Sequence, residues 1–105
     1  MSTNQNFSLY AGDTLDIVVE LDNVDLSAAT IKWAMTTLNG NEYLIYKQTP
    51  EITVDEDNGL IIFRLESADT IDCLGDYYHE CELTDGIGNV STIMTGLVNM
   101  KRSRV

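Results

Sequence analysis

Short runs in which apolar residues occupy every second position recur along most of this chain. Clear examples are residues 15–21, 31–35 and 77–83. Successive side chains of a β-strand point to opposite faces, so this period of two predicts strands with one buried face. Turn-forming residues separate the runs at intervals of ~8–12 residues, and no long helical pattern occurs, which favours an all-β sandwich.

About seven strands are predicted, joined by turns that contain Gly, Asn and Asp. Asn39-Gly40-Asn41 is typical of a hairpin, because Asn and Gly tolerate a positive φ. The alternation fails after residue 65, where Ser67 and the acidic residues behind it predict one short helical turn near residues 67–73. The predicted strands cover residues 7–10, 14–21, 30–37, 42–48, a segment after Pro50, 60–65, 77–83 and 90–100.

The size of the chain suits one domain with one core, centred on Trp33, the only tryptophan in its 105 residues. Residues 1–100 are predicted to form this sandwich and residues 101–105 a basic tail. No apolar stretch of ~18 residues occurs, so no membrane span is expected. The first six residues lack the basic and apolar parts of a secretory signal, which predicts synthesis in a cytoplasm.

The charge of the chain is strongly acidic and unevenly distributed. Its 17 acidic and six basic residues give a net charge of −11, and three of the cations are Lys101, Arg102 and Arg104. Such an acidic body repels phosphate backbones, so nucleic acid is not an expected partner. The basic tail is either a solvated end or a strap that docks on an acidic neighbour.

Candidates for chemistry are few. His79, the only histidine, lies mid-strand and is expected to be packed and hydrogen-bonded rather than to act as a catalytic base. Two free thiols are favoured over a disulfide for Cys73, in a turn, and Cys81, at an inward strand position, and their spacing matches no zinc motif. The carboxylates of residues 69, 72 and 76 sit in a polar, turn-rich segment that shows no sign of a cleft. The chain is therefore predicted not to be an enzyme and to need no cofactor.

An acidic turn at residues 55–59 is a candidate calcium-binding loop. Counting from Asp55 as position 1, Asp57 and Glu66 fall at positions 3 and 12 of a calcium-binding loop. Gly59, however, falls at position 5 instead of 6, and the flanking segments are predicted strands. An acidic hairpin tip is favoured, with a loose surface calcium site as the alternative.

Several predicted strands carry apolar residues on both faces. Val18 opposes Ile17 and Val19, and in the last strand Ile93 and Leu97 share the face opposite Met94 and Val98. Outward apolar residues either suit the strand conformation or mark a sheet face that a partner covers.

Turn and strand motifs follow one another at residues 12–14, 25–31, 57–59, 67–70, 75–77, 83–89 and Gly96. In their order along the chain, these motifs resemble a family of small immunoglobulin-like proteins found among the head and tail genes of tailed bacteriophages. Gly75-Asp76-Tyr77 resembles the tyrosine corner of immunoglobulin-like folds, although the two sheet-bridging cysteines are absent. The resemblance spans almost the whole chain.

The resemblance implies an immunoglobulin-like antiparallel β-sandwich that serves as a virion component, either a capsid decoration protein or a head or tail accessory. Its partners would be other virion proteins or further copies of the chain, after synthesis in the host bacterial cytoplasm. Binding would use strand edges, apolar patches and the basic tail. The candidate contact residues are Ile93, Leu97, Met100, Lys101, Arg102 and Arg104.

Two other functions are considered beside this one. A carbohydrate-binding module in a tail or baseplate would use exposed aromatics, for which Tyr43, Tyr46 and Tyr78 are the candidates. A hydrolase would be centred on His79.

Overall fold

Two β-sheets and one short helix form the regular structure of the described residues. The computed structural model describes residues 3–21, 25–40 and 42–102. Helix α1 (Ser67–Thr70) lies between the seventh and eighth strands. The strands are β1 (Thr3–Asn4), β2 (Phe7–Tyr10), β3 (Leu15–Glu20), β4 (Thr30–Thr37), β5 (Tyr43–Gln48), β6 (Thr53–Asp55), β7 (Leu60–Leu65), β8 (Gly75–Thr84) and β9 (Val90–Lys101).

The strand order confirms the predicted sandwich. The larger sheet, sheet A, has the order β1-β9-β8-β4-β5, with β2 also paired to β9, and sheet B has the order β3-β7-β6. The pairs β3–β7, β6–β7, β4–β5, β4–β8 and β8–β9 are all antiparallel. In immunoglobulin-like terms, β3, β7 and β6 correspond to strands B, E and D, and β9, β8, β4 and β5 to strands G, F, C and C′.

The N-terminal segment departs from the antiparallel prediction. Both β1 and β2 run parallel to β9, and the same register continues from the Thr3–Met94 pair to the Phe7–Val98 pair. Two parallel strands must be joined by a long connection that returns the chain to the same end of the sheet. Here all the strands between β2 and β9 form that connection. The described residues contain nine strands, where the sequence predicts about seven, and the strand without a counterpart among the eight predicted segments is β1.

The core between the sheets contains the residues that the alternation places inward. Trp33 of β4 is fully buried and packs against Phe63 of β7, with 4.9 Å between ring centroids. Burial of such side chains, at roughly 25 cal/mol per Å² of apolar surface, is the main stabilising contribution. The other core residues include Val19, Leu21, Leu26, Ile31, Met35, Ile45, Ile52, Ile61, Leu65, Leu83, Met94 and Val98.

The corner before β8 has the predicted tyrosine. The Tyr77 hydroxyl donates to the Leu74 carbonyl and accepts from the Leu74 N–H, both at 2.9 Å. The preceding helix begins at Ser67, with Glu66 rather than Ser67 as its N-cap, which corrects the predicted cap. The Asp69 carboxylate accepts the Glu66 N–H at 2.8 Å, so a side chain inside the helix satisfies the first backbone donor.

Some sequence predictions fall at or beyond the limits of the described chain. Strand β9 extends to Lys101, so the first residue of the predicted tail belongs to the sandwich. Arg104 and Asn41 lie outside the described residues. Within residues 3–21, 25–40 and 42–102, no helix is long and apolar enough to cross a membrane.

Candidate functional site

The outer face of sheet A gathers the three tyrosines that the sequence singled out for carbohydrate binding. Residues paired directly across neighbouring strands project to the same face of a sheet. Ala34 of β4 pairs with Tyr46 of β5 and with Glu80 of β8. One step along, Thr36 pairs with Tyr43 on one side and with Tyr78 on the other. We call the surface formed by Ala34, Tyr43, Tyr46, Tyr78 and Glu80 the tyrosine groove.

The floor of the tyrosine groove is low because Ala34 is small. Two adjoining depressions of about 270 Å³ and 140 Å³ lie over it, and both are lined by Ala34, Tyr43 and Glu80. Tyr43 is 65% exposed, and its ring centroid lies 5.1 Å from that of Tyr46. Enclosed pockets for small molecules are usually ~300–1,000 Å³. The groove therefore suits a ligand that lies along the surface.

Polar groups flank the aromatic rings of the groove. The Tyr78 hydroxyl donates to the Glu80 carboxylate at 3.0 Å. Partial burial, together with this hydrogen bond, raises the pKa of Tyr78, so its hydroxyl stays protonated at neutral pH. Lys32 and Glu82 form the next cross-strand pair and line the smaller depression. The groove thus combines aromatic faces with carboxylate and ammonium groups.

The predicted partner-contact residues divide between surface and core. Leu97, Lys101 and Arg102 are exposed. Ile93 and Met100 are buried in the core, so their side chains do not present a surface to a partner, and this placement corrects the candidate set. Arg104 lies outside the described residues.

A β-bulge explains why Ile93 is buried. Cys81 pairs with Met94, but the next residue of β8, Glu82, pairs with Thr92, which leaves Ile93 as an extra residue of β9. A bulge of this kind breaks the alternation of faces, and both Ile93 and Met94 are buried. The period of two therefore assigned Ile93 to the wrong face.

The exposed contact residues belong to a second surface, formed by the outward side chains of β2 and β9. Tyr10 pairs with Lys101, and the Lys101 ammonium lies 5.7 Å from the centroid of the Tyr10 ring. Tyr10 is 50% exposed and Leu97 is 51% exposed. We call Ser8, Tyr10, Leu97, Asn99 and Lys101 the β2–β9 surface.

A shallow depression adjoins this surface at the end of the sandwich. It lies between Arg102, Ile71 and Leu74, and both apolar side chains are exposed. Sequence reasoning missed them, together with Tyr10, because residues 71 and 74 follow a helix and residue 10 ends a strand. Only the fold brings these three side chains near Lys101 and Arg102.

His79 is buried and connects three parts of the chain. The Trp33 indole N–H donates to His79 Nδ1 at 3.1 Å, and His79 Nε2 bonds the Gln5 carbonyl. Because Nδ1 accepts a hydrogen bond, the ring is neutral and Nε2 carries the proton. The prediction of a packed, hydrogen-bonded histidine is confirmed, and the network ties the N-terminal segment to the core tryptophan.

This network leaves His79 without a free nitrogen for proton transfer. Cys81 is buried on the same strand face, and burial raises the pKa of its thiol to about 12. Burial also raises the pKa of Cys73. Both thiols are free and protonated at neutral pH, so no Cys–His nucleophile is present at this position.

Stability is expected to fall as the pH decreases from about 7 to about 5, where a histidine titrates. Burial lowers the pKa of His79 below its usual 6.5, so as the pH falls through this window the unfolded chain binds the proton more readily than the folded chain. The slope of the free energy of unfolding against pH reaches at most about 1.4 kcal/mol per pH unit. Urea unfolding at several pH values measures it.

The control for this pH dependence is His79→Gln, since His79 is the only histidine. Glutamine keeps an acceptor for the Trp33 N–H but does not titrate in this window. We expect the unfolding free energy of the variant to be flat over the same range. An equal slope in both proteins would show that another group is responsible.

Asp69 and Asp55, one from each predicted acidic cluster, are engaged in local contacts. Partial burial acts to raise the pKa of Asp69, but hydrogen bonds from Lys47, 2.9 Å away, and from the Glu66 N–H outweigh it and lower this pKa. Hydrogen bonds from Asn58 lower the pKa of Asp55 in the acidic turn. In the part of the chain that the structure describes, no group of three or more His, Cys, Asp or Glu side chains is arranged to hold a metal ion.

Comparison with known proteins does not assign the chain. No protein-family model matches it, and no curated protein does. Function is therefore proposed from the two surfaces described above and from the resemblance of the sequence.

Proposed function

We propose that this protein is a non-enzymatic component of a bacteriophage particle that docks on another virion subunit through the β2–β9 surface. The observation that carries the proposal is the meeting of exposed apolar side chains with positive charge at one place. Tyr10 and Leu97 supply the apolar area, Lys101 supplies charge within the surface, and the exposed Arg102 adds charge beside it. The resemblance of the sequence to small virion proteins supports the particle as the setting.

The partner is expected to present an acidic and apolar patch. The body of this protein, residues 1–100, combines three cations with 17 acidic residues, so its own surface repels further copies. The cations at the end of β9 instead favour a negatively charged neighbour. Apolar side chains at the centre of an interface supply most of the affinity, while exposed charges at its edge set the association rate and the salt dependence.

Charge reversal tests the electrostatic part of this proposal. We expect Lys101→Glu to weaken binding to particles that lack the protein, by about tenfold at 0.1 M salt, where the Debye length is about 10 Å. The difference should shrink at about 1 M salt, where the Debye length is about 3 Å. Co-sedimentation of labelled protein with purified particles measures occupancy.

Lys32→Glu is the matched control because it makes the same change in net charge on the outer face of the same sheet. A similar loss in both variants would mean that net charge, not the β2–β9 surface, governs attachment.

Replacement of an apolar residue by a charged one tests the centre of the β2–β9 surface. Leu97→Asp is expected to reduce particle binding about tenfold or more, because it places a charge where an apolar contact is buried on docking. Val18→Asp is the control, since Val18 is 57% exposed on the outer face of sheet B. Full binding by Leu97→Asp, or no binding of the parent protein to particles, would reject the proposal.

A further inference from the structure

We propose that the tyrosine groove binds a neutral oligosaccharide by stacking hexopyranose rings on Tyr43 and Tyr78. This site borders the β2–β9 surface, because Tyr78 pairs with Leu97, but its most exposed ring, Tyr43, lies on β5 at the opposite edge of sheet A. The argument begins with the shape of pyranoses, which present C–H groups on their faces and hydroxyls around their edges. An aromatic ring flanked by carboxylates matches both parts of such a sugar.

The aromatic part of the match comes from the exposed ring of Tyr43 and the rings of Tyr46 and Tyr78 beside the Ala34 floor. Tyr43 is 65% exposed, although a tyrosine on a sheet can lie down against its neighbours. Its ring is tilted by 33° from that of Tyr46, and the two form a continuous aromatic area beside the Ala34 floor. Tyr78 closes the other side of the larger depression. A sugar ring placed over the floor would contact aromatic carbon on both sides.

The polar part of the match comes from the strands that carry these rings. Glu80 lines both depressions, and Glu82 and Lys32 line the smaller one. The Tyr78 hydroxyl already donates to Glu80, which fixes the position of this carboxylate and leaves further lone pairs for sugar hydroxyls. Lys32 supplies a donor for hydroxyl or ring oxygens. Such polar groups orient the ligand, while stacking supplies the contact area.

The negative charge of the groove and of the whole chain determines which class of sugar the groove can bind. Two carboxylates at the groove and a net charge of −11 on the whole chain repel uronic acid and sulfated polymers. The small, open depressions bury only part of each ring, so a single site has modest affinity. Several copies on one particle would raise the effective affinity through multivalency.

Titration with defined oligosaccharides tests the site. The probes are hexaoses of glucose, mannose, galactose and N-acetylglucosamine, with hexagalacturonate as the anionic comparison. We expect at least one neutral hexaose to bind with a Kd below about 1 mM. Amide resonances of Ala34, Thr36, Tyr43 and Glu80 should shift in NMR spectra, and hexagalacturonate should bind more weakly.

Substitutions separate stacking from other contacts. Tyr43→Ala should weaken binding about tenfold or more, and Tyr43→Phe should retain most of it because the ring remains. Tyr10→Ala is the matched control, because it removes an exposed tyrosine from the β2–β9 surface. Since Tyr43 is exposed, the variants are expected to remain folded, which thermal unfolding checks.

Several outcomes would overturn the proposal. They are the absence of binding by every neutral hexaose at about 10 mM, tighter binding of hexagalacturonate, unchanged affinity in Tyr43→Ala, and a particle map in which another subunit covers Tyr43. The docking variants distinguish this failure from failure of the proposed function. Lys101→Glu should impair particle binding without changing sugar affinity, and Tyr43→Ala should do the reverse.

Discussion

Replacement of Trp33 by alanine is expected to lower the free energy of unfolding by about 3–5 kcal/mol, the range measured when large buried aromatic side chains are removed. Trp33 is fully buried, packs on Phe63 from the opposite sheet and donates a hydrogen bond to His79. The substitution therefore leaves a cavity between the sheets and an unsatisfied acceptor. The total free energy of unfolding of a domain is about 5–15 kcal/mol, so the variant would be only marginally stable.

Urea unfolding at pH 7, above the histidine window, measures this loss. Trp33→Phe separates packing from hydrogen bonding, because it keeps an aromatic ring but removes the indole N–H. We expect it to cost about 1–3 kcal/mol, mainly through the buried His79 acceptor that it leaves unpaired. Tyr43→Ala is the exposed aromatic control and should change stability little. A loss below about 1 kcal/mol for Trp33→Ala would contradict the central role of this side chain.

Replacement of Gly96 by alanine is expected to be the next most damaging change. A Cβ at this position would overlap the Gln5 carbonyl oxygen and lie 2.8 Å from His79 Nε2. Backbone atoms cannot move aside as a flexible side chain can, so the N-terminal segment has to shift away from β9. Overpacking of this kind costs about 1–3 kcal/mol. Loss of the His79–Gln5 hydrogen bond would add on the order of 1 kcal/mol.

Hydrogen exchange locates this effect. The Gln5 N–H donates to the Thr95 carbonyl, and the Leu97 N–H donates to the Asn6 side chain. We expect the amides of Gln5 and Leu97 to lose protection through local opening in Gly96→Ala, while exchange in the β3–β7 pair rises by no more than the loss of global stability allows.

A double-mutant cycle provides the second test of Gly96→Ala. If the cost comes from the N-terminal segment, Gly96→Ala should be nearly neutral in a chain that lacks residues 1–6. An equal cost with and without that segment would show that Gly96 matters for another reason.

The tyrosine groove and the β2–β9 surface show which features of a site can be predicted from neighbouring residues and which cannot. The tyrosines were candidates from their residue type alone, but Tyr43 and Tyr78 come from strands separated by β4 and meet only through the pairing of β5, β4 and β8. Among the contact residues, the period of two placed Leu97 correctly and failed at Ile93, where the bulge intervenes. A bulge depends on how two strands align, and alternation along one strand contains no information about its partner.

By itself, the sequence determined which side chains face inward in most strands, where most strands end, and the all-β class. These properties follow from the stereochemistry of neighbouring residues, because alternation and turn formation act over a few positions. The tertiary structure alone decided the parallel pairing of β1 and β2 with β9, the partners of His79 and the two surfaces. Asn6 and Leu97 are 91 residues apart, and contacts over such separations depend on the packing of the whole chain.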